Sequence, residues 1–315
     1  MKKSKLNLFN DLVMYTPGNN KRKSFRSTKI IATIKRETSR EEILGMITAG
    51  MNVARFDASS GKKEDFENIV ASLKVFKEVV NECNKSGAIK SENFFVTHIA
   101  CALDLKGVYL ESEIYGKSGD PDVKLSRGDK IIFTNHSERK TKSTSLCVYI
   151  NYRNLSKFKL GQPIIINENI HLIVESIERA PLEALICDVV KGGKFVCGER
   201  MEVNFPGAKA DLDLEAITED TISAINFCKK NEIDLLFVSV NKPSDLVKIN
   251  CHVKADGGLH TVKVIAKIEC EVVLQFIEMI IEQSDGFMIS RARLGRNISP
   301  ELVTAFQKNV IAECL

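Results

Sequence analysis

The sequence predicts a parallel α/β protein with crossover helices, and three observations carry that prediction. Short apolar runs rich in β-branched residues alternate with longer amphipathic stretches, as strands joined by helices would. Helix-start chemistry follows the first and the last of these runs. Between about Val108 and Phe205 the alternation breaks into short runs bounded by Gly, Asn, Asp and Pro, with little helical periodicity, which reads as a small all-β domain inserted after the third strand.

The strand candidates, in order, are Lys29–Ile34, Asn52–Phe56, Ile99–Leu105, Asp234–Val240, Val262–Ile268 and Asp285–Ser290. After the first, Ser39-Arg40-Glu41-Glu42 has capping-box spacing, in which a hydroxyl and a carboxylate satisfy the orphan amides of a first helical turn. After the last, Ser299-Pro300-Glu301 puts proline where a helix tolerates it best and predicts a helix over Pro300–Leu315. Within the interruption the strand candidates are Lys130–Phe133, Leu146–Tyr152, Gln162–Ile166 and Ala184–Val190, and Asn204-Phe205-Pro206-Gly207 is the expected hinge back to the parallel sheet. No internal repeat or low-complexity tract is evident.

Composition excludes several classes. A net charge of +4 over 315 residues is too small to argue for nucleic acid. The basic patches from Lys21 to Lys29 and from Glu138 to Lys142 read as solvated surface. Nine cysteines without a C-x-x-C pair suggest neither a zinc ribbon nor a redox motif, and are read as reduced, mostly buried thiols. The five histidines lie far apart with no ligand spacing. The first twenty residues hold no apolar stretch long enough for a signal peptide or membrane span, so no membrane is expected and the location expected is the cytoplasm.

Several motifs in sequence order carry a more specific message: Thr28-Lys29-Ile30-Ile31-Ala32-Thr33-Ile34, Ala49-Gly50-Met51-Asn52-Val53-Ala54-Arg55, Cys101-Ala102-Leu103-Asp104-Leu105-Lys106-Gly107, Val203-Asn204-Phe205-Pro206-Gly207-Ala208, Lys267-Ile268-Glu269, and the run SDGFMISRARLG from Ser284 to Gly295. Together they resemble the pyruvate kinase family, with its ALDTKG, VNLPGA, KIE and SDGIMVARGDLG. The resemblance implies a TIM-type β/α barrel with an inserted small all-β lid domain. It divides the chain into an N-terminal extension (1–28), a first barrel part with strands one to three (29–107), the lid (108–205) and a second barrel part with strands four to six (206–315). The last two barrel strands and a C-terminal regulatory domain are expected to be missing. The exposed sheet edges of such a barrel invite cover from a homo- or hetero-oligomeric partner, unless the chain is a gene fragment.

The same resemblance assigns site residues. It implies that Lys267 is the catalytic lysine, that Arg55 contacts phosphate, that Gly295 lies at the substrate, and that Glu269 is a divalent-metal ligand. The implied substrates are phosphoenolpyruvate/pyruvate and ADP/ATP, with Mg2+ and K+ as cofactors. Phosphoryl transfer of this kind rests on positioning and charge neutralisation. The chain departs from the pattern at the second metal ligand, an aspartate in the family, where it carries Arg293. A guanidinium has no lone pair to donate. Unit charges about 4 Å apart at an effective dielectric near 20 interact by roughly 4 kcal/mol, so exchanging a carboxylate for a guanidinium beside a divalent ion costs on the order of 10 kcal/mol. Arg293 is expected either to neutralise Glu269 or to hold an anion itself.

Other departures follow. Asp57 replaces the Asn and Ser60 the His of the family's NFSH, and Leu105 replaces the Thr of ALDTKG, so Ser59 and Asp104 alone keep their types at the potassium-site positions. Val108-Tyr109-Leu110-Glu111 stands where the family has PEIR, Asn167 and Glu168 where it commonly has two aspartates, and Ala292 where it has a backbone-exposing glycine. The favoured reading is a pyruvate kinase-like protein impaired in catalysis. The alternatives are an active magnesium- and potassium-dependent pyruvate kinase, and a non-catalytic partner of a full-length pyruvate kinase.

Overall fold

The computed structural model describes residues 28–59, 63–86, 99–107, 122–139, 147–152, 154–167, 169–179, 183–195, 201–206, 217–255 and 262–314. The expectations placed on Ser60, Tyr109, Glu111, Glu168, Gly207, Ala208, the first 27 residues and Lys140–Lys142 lie outside them.

The parallel part opens with strand β1 (Ile31–Thr33), helix α1 (Arg40–Thr48), β2 (Val53–Ala58), α2 (Lys63–Ser86) and β3 (Ala100–Leu105). An antiparallel body follows: β4 (Val123–Leu125), β5 (Lys130–Thr134), β6 (Cys147–Tyr149), β7 (Pro163–Ile166), β8 (Ile170–Glu178), β9 (Ala184–Lys191), β10 (Gly193–Phe195) and β11 (Val203–Asn204). The chain then resumes its alternation with α3 (Glu219–Lys230), β12 (Leu235–Ser239), α4 (Pro243–Lys254), β13 (Lys263–Ile268), α5 (Ile277–Gln283), β14 (Gly286–Ile289), α6 (Arg291–Asn297) and α7 (Pro300–Cys314).

The helices start where the side chains predict. Ser39 accepts from Glu42 N at 3.2 Å while Glu42 accepts from Ser39 N at 2.7 Å, the reciprocal capping box ahead of α1. At α4, Pro243 occupies the first turn and the Asp245 carboxylate accepts from the backbone of Asn241 and Lys242 at 3.1 and 3.2 Å. α7 begins at Pro300.

The six parallel strands pair in the order β1-β2-β3-β12-β13-β14. Strand order follows chain order, so each crossover helix lands on the same side, which is the winding of a β/α barrel wall rather than of a doubly wound sheet. The helix side holds the larger core, with Phe56, Leu103, Leu236, Val264 and Ile268 fully or almost fully buried under α1 to α5. The opposite face carries a smaller apolar layer of Val53, Ala100, Ala102, Leu235, Phe237 and Ile265, with Met288 against it. Both faces are therefore covered or lined, and the strands read as nearly continuous apolar runs.

The antiparallel body has a sheet of order β11-β7-β8-β9-β5-β6, plus the β4–β10 pair, around its own core of Phe133, Ile150, Leu155, Leu172, Leu185 and Phe195. Here the structure adds to the sequence reading. The longest strand, β8, was not among the candidates: His171, Glu175 and Ser176 on its outer face break the apolar run, and the ladder slips between Val174 and Ser176. The expected hinge stretch begins inside this body. Val203–Asn204 pairs with β7, and Phe205 is buried against Phe158 with ring centroids 4.4 Å apart, so these residues belong to the antiparallel body.

Candidate functional site

Strand alternation builds the site. On β2 the residues facing away from the helices are Val53, Arg55 and Asp57; on β3 they are Ala100, Ala102 and Asp104; on β12, Leu235, Phe237 and Ser239; on β13, Ile265 and Lys267. The apolar members come first along each strand and the polar ones last. Parallel pairing puts Asp57 opposite Asp104 and Ser239 opposite Lys267, so the polar members gather at one rim, the C-terminal ends of the strands.

Asp104 is the centre of the gathering. Its Oδ2 accepts from Arg55 Nε at 2.8 Å and Nη2 at 2.6 Å, and its Oδ1 lies 2.9 Å from Lys267 Nζ. Arg55 also donates to Thr33 Oγ1 at 2.9 Å and to Asp57 Oδ2 at 2.9 Å. Burial alone would lower the Arg55 pKa, but the charge and hydrogen bonds of Asp104, then Asp57, outweigh it and raise the group above its usual value. For Asp57, burial pushes upward, yet the hydrogen bonds of Ser59 and then the Arg55 guanidinium win and hold the carboxyl below its usual range. Lys267 is buried and donates to Leu105 O at 2.8 Å, with Glu269 Oε1 3.5 Å from Nζ. A buried ammonium is tolerable because two carboxylates and a carbonyl surround it.

Glu269 links this cluster to Arg293. Its Oε2 accepts from Ser239 Oγ, and its Oε1 lies 3.7 Å from Arg293 Nε. The nearer partner of Arg293 is Glu202, whose Oε2 accepts from Nη1 at 2.9 Å, while Glu202 Oε1 accepts from Arg296 Nη1 at 3.2 Å. Of the two roles expected for Arg293, neutralising Glu269 describes a loose contact, and the tighter bond goes to a carboxylate of the antiparallel body.

Among the described residues, Arg55, Lys267, Arg293 and Arg296 thus face Asp57, Asp104, Glu269 and Glu202, four cations against four carboxylates, whose formal charges cancel. A divalent ion needs several oxygen donors and a surplus of negative charge. Glu269 offers oxygens already shared with Ser239, Lys267 and Arg293, and the side chain at 293 supplies a charge of the wrong sign. The residues do not fit a magnesium site. Potassium fits no better: both oxygens of Asp104 face Arg55 or Lys267, and Asp57 accepts from Arg55 and from Ser59 N at 2.9 Å.

Lys267, Arg55, Asp57, Asp104, Glu269 and Arg293 are therefore brought into one connected set, with Ser59 at its margin through its backbone amide. Gly295 is not in the set of contacts. It lies on α6, where an added Cβ would meet only Val303 Cγ2 at 3.8 Å, so the fold there does not require glycine. Sequence reasoning missed Glu202, Arg296 and Ser239. Arg296 follows Arg293 by three residues, on the same face of a helix, and was legible had α6 been expected. Glu202 stands just before the Val203-Asn204-Phe205-Pro206 block and had no local signal. Asn167, noted as a departure, has a positive φ of 50° and brackets Glu202, donating from its N to Glu202 O at 3.0 Å and accepting from Glu202 N at 2.9 Å.

Residues 25–315 match the family described as "Pyruvate kinase, barrel domain". Among similar proteins, "Pyruvate kinase PKLR" of Homo sapiens is 32% identical over 292 residues, covering 92% of this chain and 48% of that protein. "Pyruvate kinase" of Trypanoplasma borreli is 29% identical over 317 residues, covering 100% of this chain and 57% of that protein. "Pyruvate kinase" of Staphylococcus aureus (strain MRSA252) is 30% identical over 293 residues, at 92% and 45%. The chain spans about half the length of the curated relatives it matches.

Proposed function

The chain belongs to the pyruvate kinase family, and on that premise we propose that it keeps the family's lysine centre while being impaired in metal-dependent phosphoryl transfer from phosphoenolpyruvate to ADP. One observation carries the proposal: Arg293 stands beside Glu269, 3.7 Å away, and is tied to Glu202 at 2.9 Å. A guanidinium so placed cannot donate an electron pair to a cation, and its charge opposes a cation's approach.

The residues that remain suit an anion. Lys267 is the catalytic lysine in this reading, Arg55 the phosphate-contacting group and Gly295 a backbone neighbour of the substrate. Asp57, Ser59 and Asp104 are what is left of a potassium site, now given over to ion pairing. Phosphoenolpyruvate or pyruvate, and ADP or ATP, are the ligand classes to try, and the cytoplasm is the location that goes with them. No described helix is long and apolar enough to cross a membrane.

A second reading, an active magnesium- and potassium-dependent pyruvate kinase, is favoured by the intact Lys267–Asp104–Arg55 cluster. A coupled assay of pyruvate formation with phosphoenolpyruvate, ADP, magnesium and potassium decides between them. The expected result is no turnover above that of Lys267→Met. Turnover that Lys267→Met abolishes would establish the active enzyme instead.

A further inference from the structure

Glu202 has a place that phosphoryl transfer does not require. Alternate residues around it, Met201, Val203 and Phe205, point into the core of the antiparallel body and are buried there. Strand alternation therefore sends Glu202 the other way, out of that body. Its backbone is clamped on both sides by Asn167, a residue type that tolerates the left-handed conformation found there. Its carboxylate reaches the parallel body, with one oxygen on Arg293 at 2.9 Å and the other on Arg296 at 3.2 Å. The two arginines share one face of α6, which is anchored beneath them by the fully buried Leu294.

We infer that Glu202, Arg293 and Arg296 form a charge latch that docks the antiparallel body onto the strand-end rim of the parallel sheet, beside Lys267. Each carboxylate oxygen takes one guanidinium, so the latch fixes direction as well as distance. Both ends rest on rigid supports, the Asn167 clamp on one side and Leu294 on the other. The reversed charge at 293 thus acquires a use: where an aspartate would repel Glu202, an arginine holds it. A contact between two separately cored bodies is also the kind that opens and closes as a hinge motion. The latch does not depend on whether the protein turns over substrate.

Hydrogen–deuterium exchange of the full chain tests it, using Glu202→Gln, Arg293→Gln and the double variant. Glu202→Gln keeps size and removes charge. It is expected to speed amide exchange in residues 201–206 and 291–297 by roughly tenfold or more, the loss of a charge-assisted hydrogen bond, while β8 and β9 exchange as before. The double variant is expected to exchange no faster than Glu202→Gln alone, because the bond that Arg293→Gln removes is one that Glu202→Gln has already broken. Unchanged exchange in Glu202→Gln, or additive acceleration in the double variant, would overturn the latch. So would acceleration that extends to β8 and β9, since that would make Glu202 a residue of general stability.

Discussion

The two ends of the ion-pair network are held together in different ways. At the strand end, Arg55, Asp104 and Lys267 project from β2, β3 and β13 at positions set by one hydrogen-bonded ladder, and the side chains of Lys267 and Asp104 are only 3% and 2% exposed. At the helix end, Arg293, Arg296 and Glu202 meet between a short helix and a segment of another sheet, with side chains 27%, 19% and 16% exposed. A register cannot shift by one residue without turning every side chain to the other face, so the strand end is rigidly specified. The helix end depends on how two bodies dock. At the helix end a long side chain chooses between partners, since Arg293 lies 2.9 Å from Glu202 and 3.7 Å from Glu269, whereas at the strand end the ladder leaves no such choice.

The largest effect that would break this comparison concerns stability. Lys267→Met removes the buried cation that serves both Asp104 and Glu269, leaving Asp104 with Arg55 alone, and is expected to cost about 3–5 kcal/mol. Arg293→Met removes a partly exposed partner from Glu202, which keeps Arg296, and is expected to cost at most about 2 kcal/mol. Urea unfolding midpoints of the two variants check this. Equal costs would mean that the two ends are equally buried in effect and that the contrast is wrong.

A second experiment sharpens the account of the helix end. Arg293→Asp frees Glu269 from the guanidinium and adds a carboxylate, so manganese affinity measured by calorimetry or electron paramagnetic resonance is expected to rise by at least about tenfold over the parent chain, as expected for removing one unfavourable charge. An affinity that stays flat would show that something other than the charge at 293 keeps the cation out.

The smallest effect lies at the rim of the strand end. The folded-state pKa of Asp57 is lowered from its ordinary value of 3.8, through hydrogen bonds to Ser59 and the charge of Arg55 that together outweigh burial. A depressed carboxylate stabilises the fold fully above its unfolded pKa and loses that contribution as pH falls through the folded pKa. Asp57→Asn is therefore expected to flatten the fall of stability below pH 3.8 while leaving the slope above it unchanged, as read from unfolding midpoints across that range. An unaltered acid slope would remove Asp57 from the strand-end network.

The parallel strands were legible because their information is local. β-Branched runs, the Ser39–Glu42 box and Pro300 act within a few residues, and all six predicted strands overlap observed ones. The residues at the strand ends were named from the resemblance of their motifs, and strand alternation is what puts Arg55 and Asp57, or Ile265 and Lys267, on one face whatever their partners are. β8 was harder, since its polar outer face hid it from a search for apolar runs, although its inner residues Ile170, Leu172 and Val174 keep the alternation.

By itself the sequence determined the family, the winding of the parallel sheet, and the fact that a guanidinium stands at position 293. Only the tertiary structure decided what that guanidinium holds. Glu202 and Arg293 are 91 residues apart along the chain, and Asp104 and Lys267 are 163 apart, so neither pairing leaves a periodic or neighbouring signature. The physical reason is that Coulombic partners are chosen by distance in space after packing has set the two supports, whereas strand alternation and helix capping are chosen by bonds within the backbone itself.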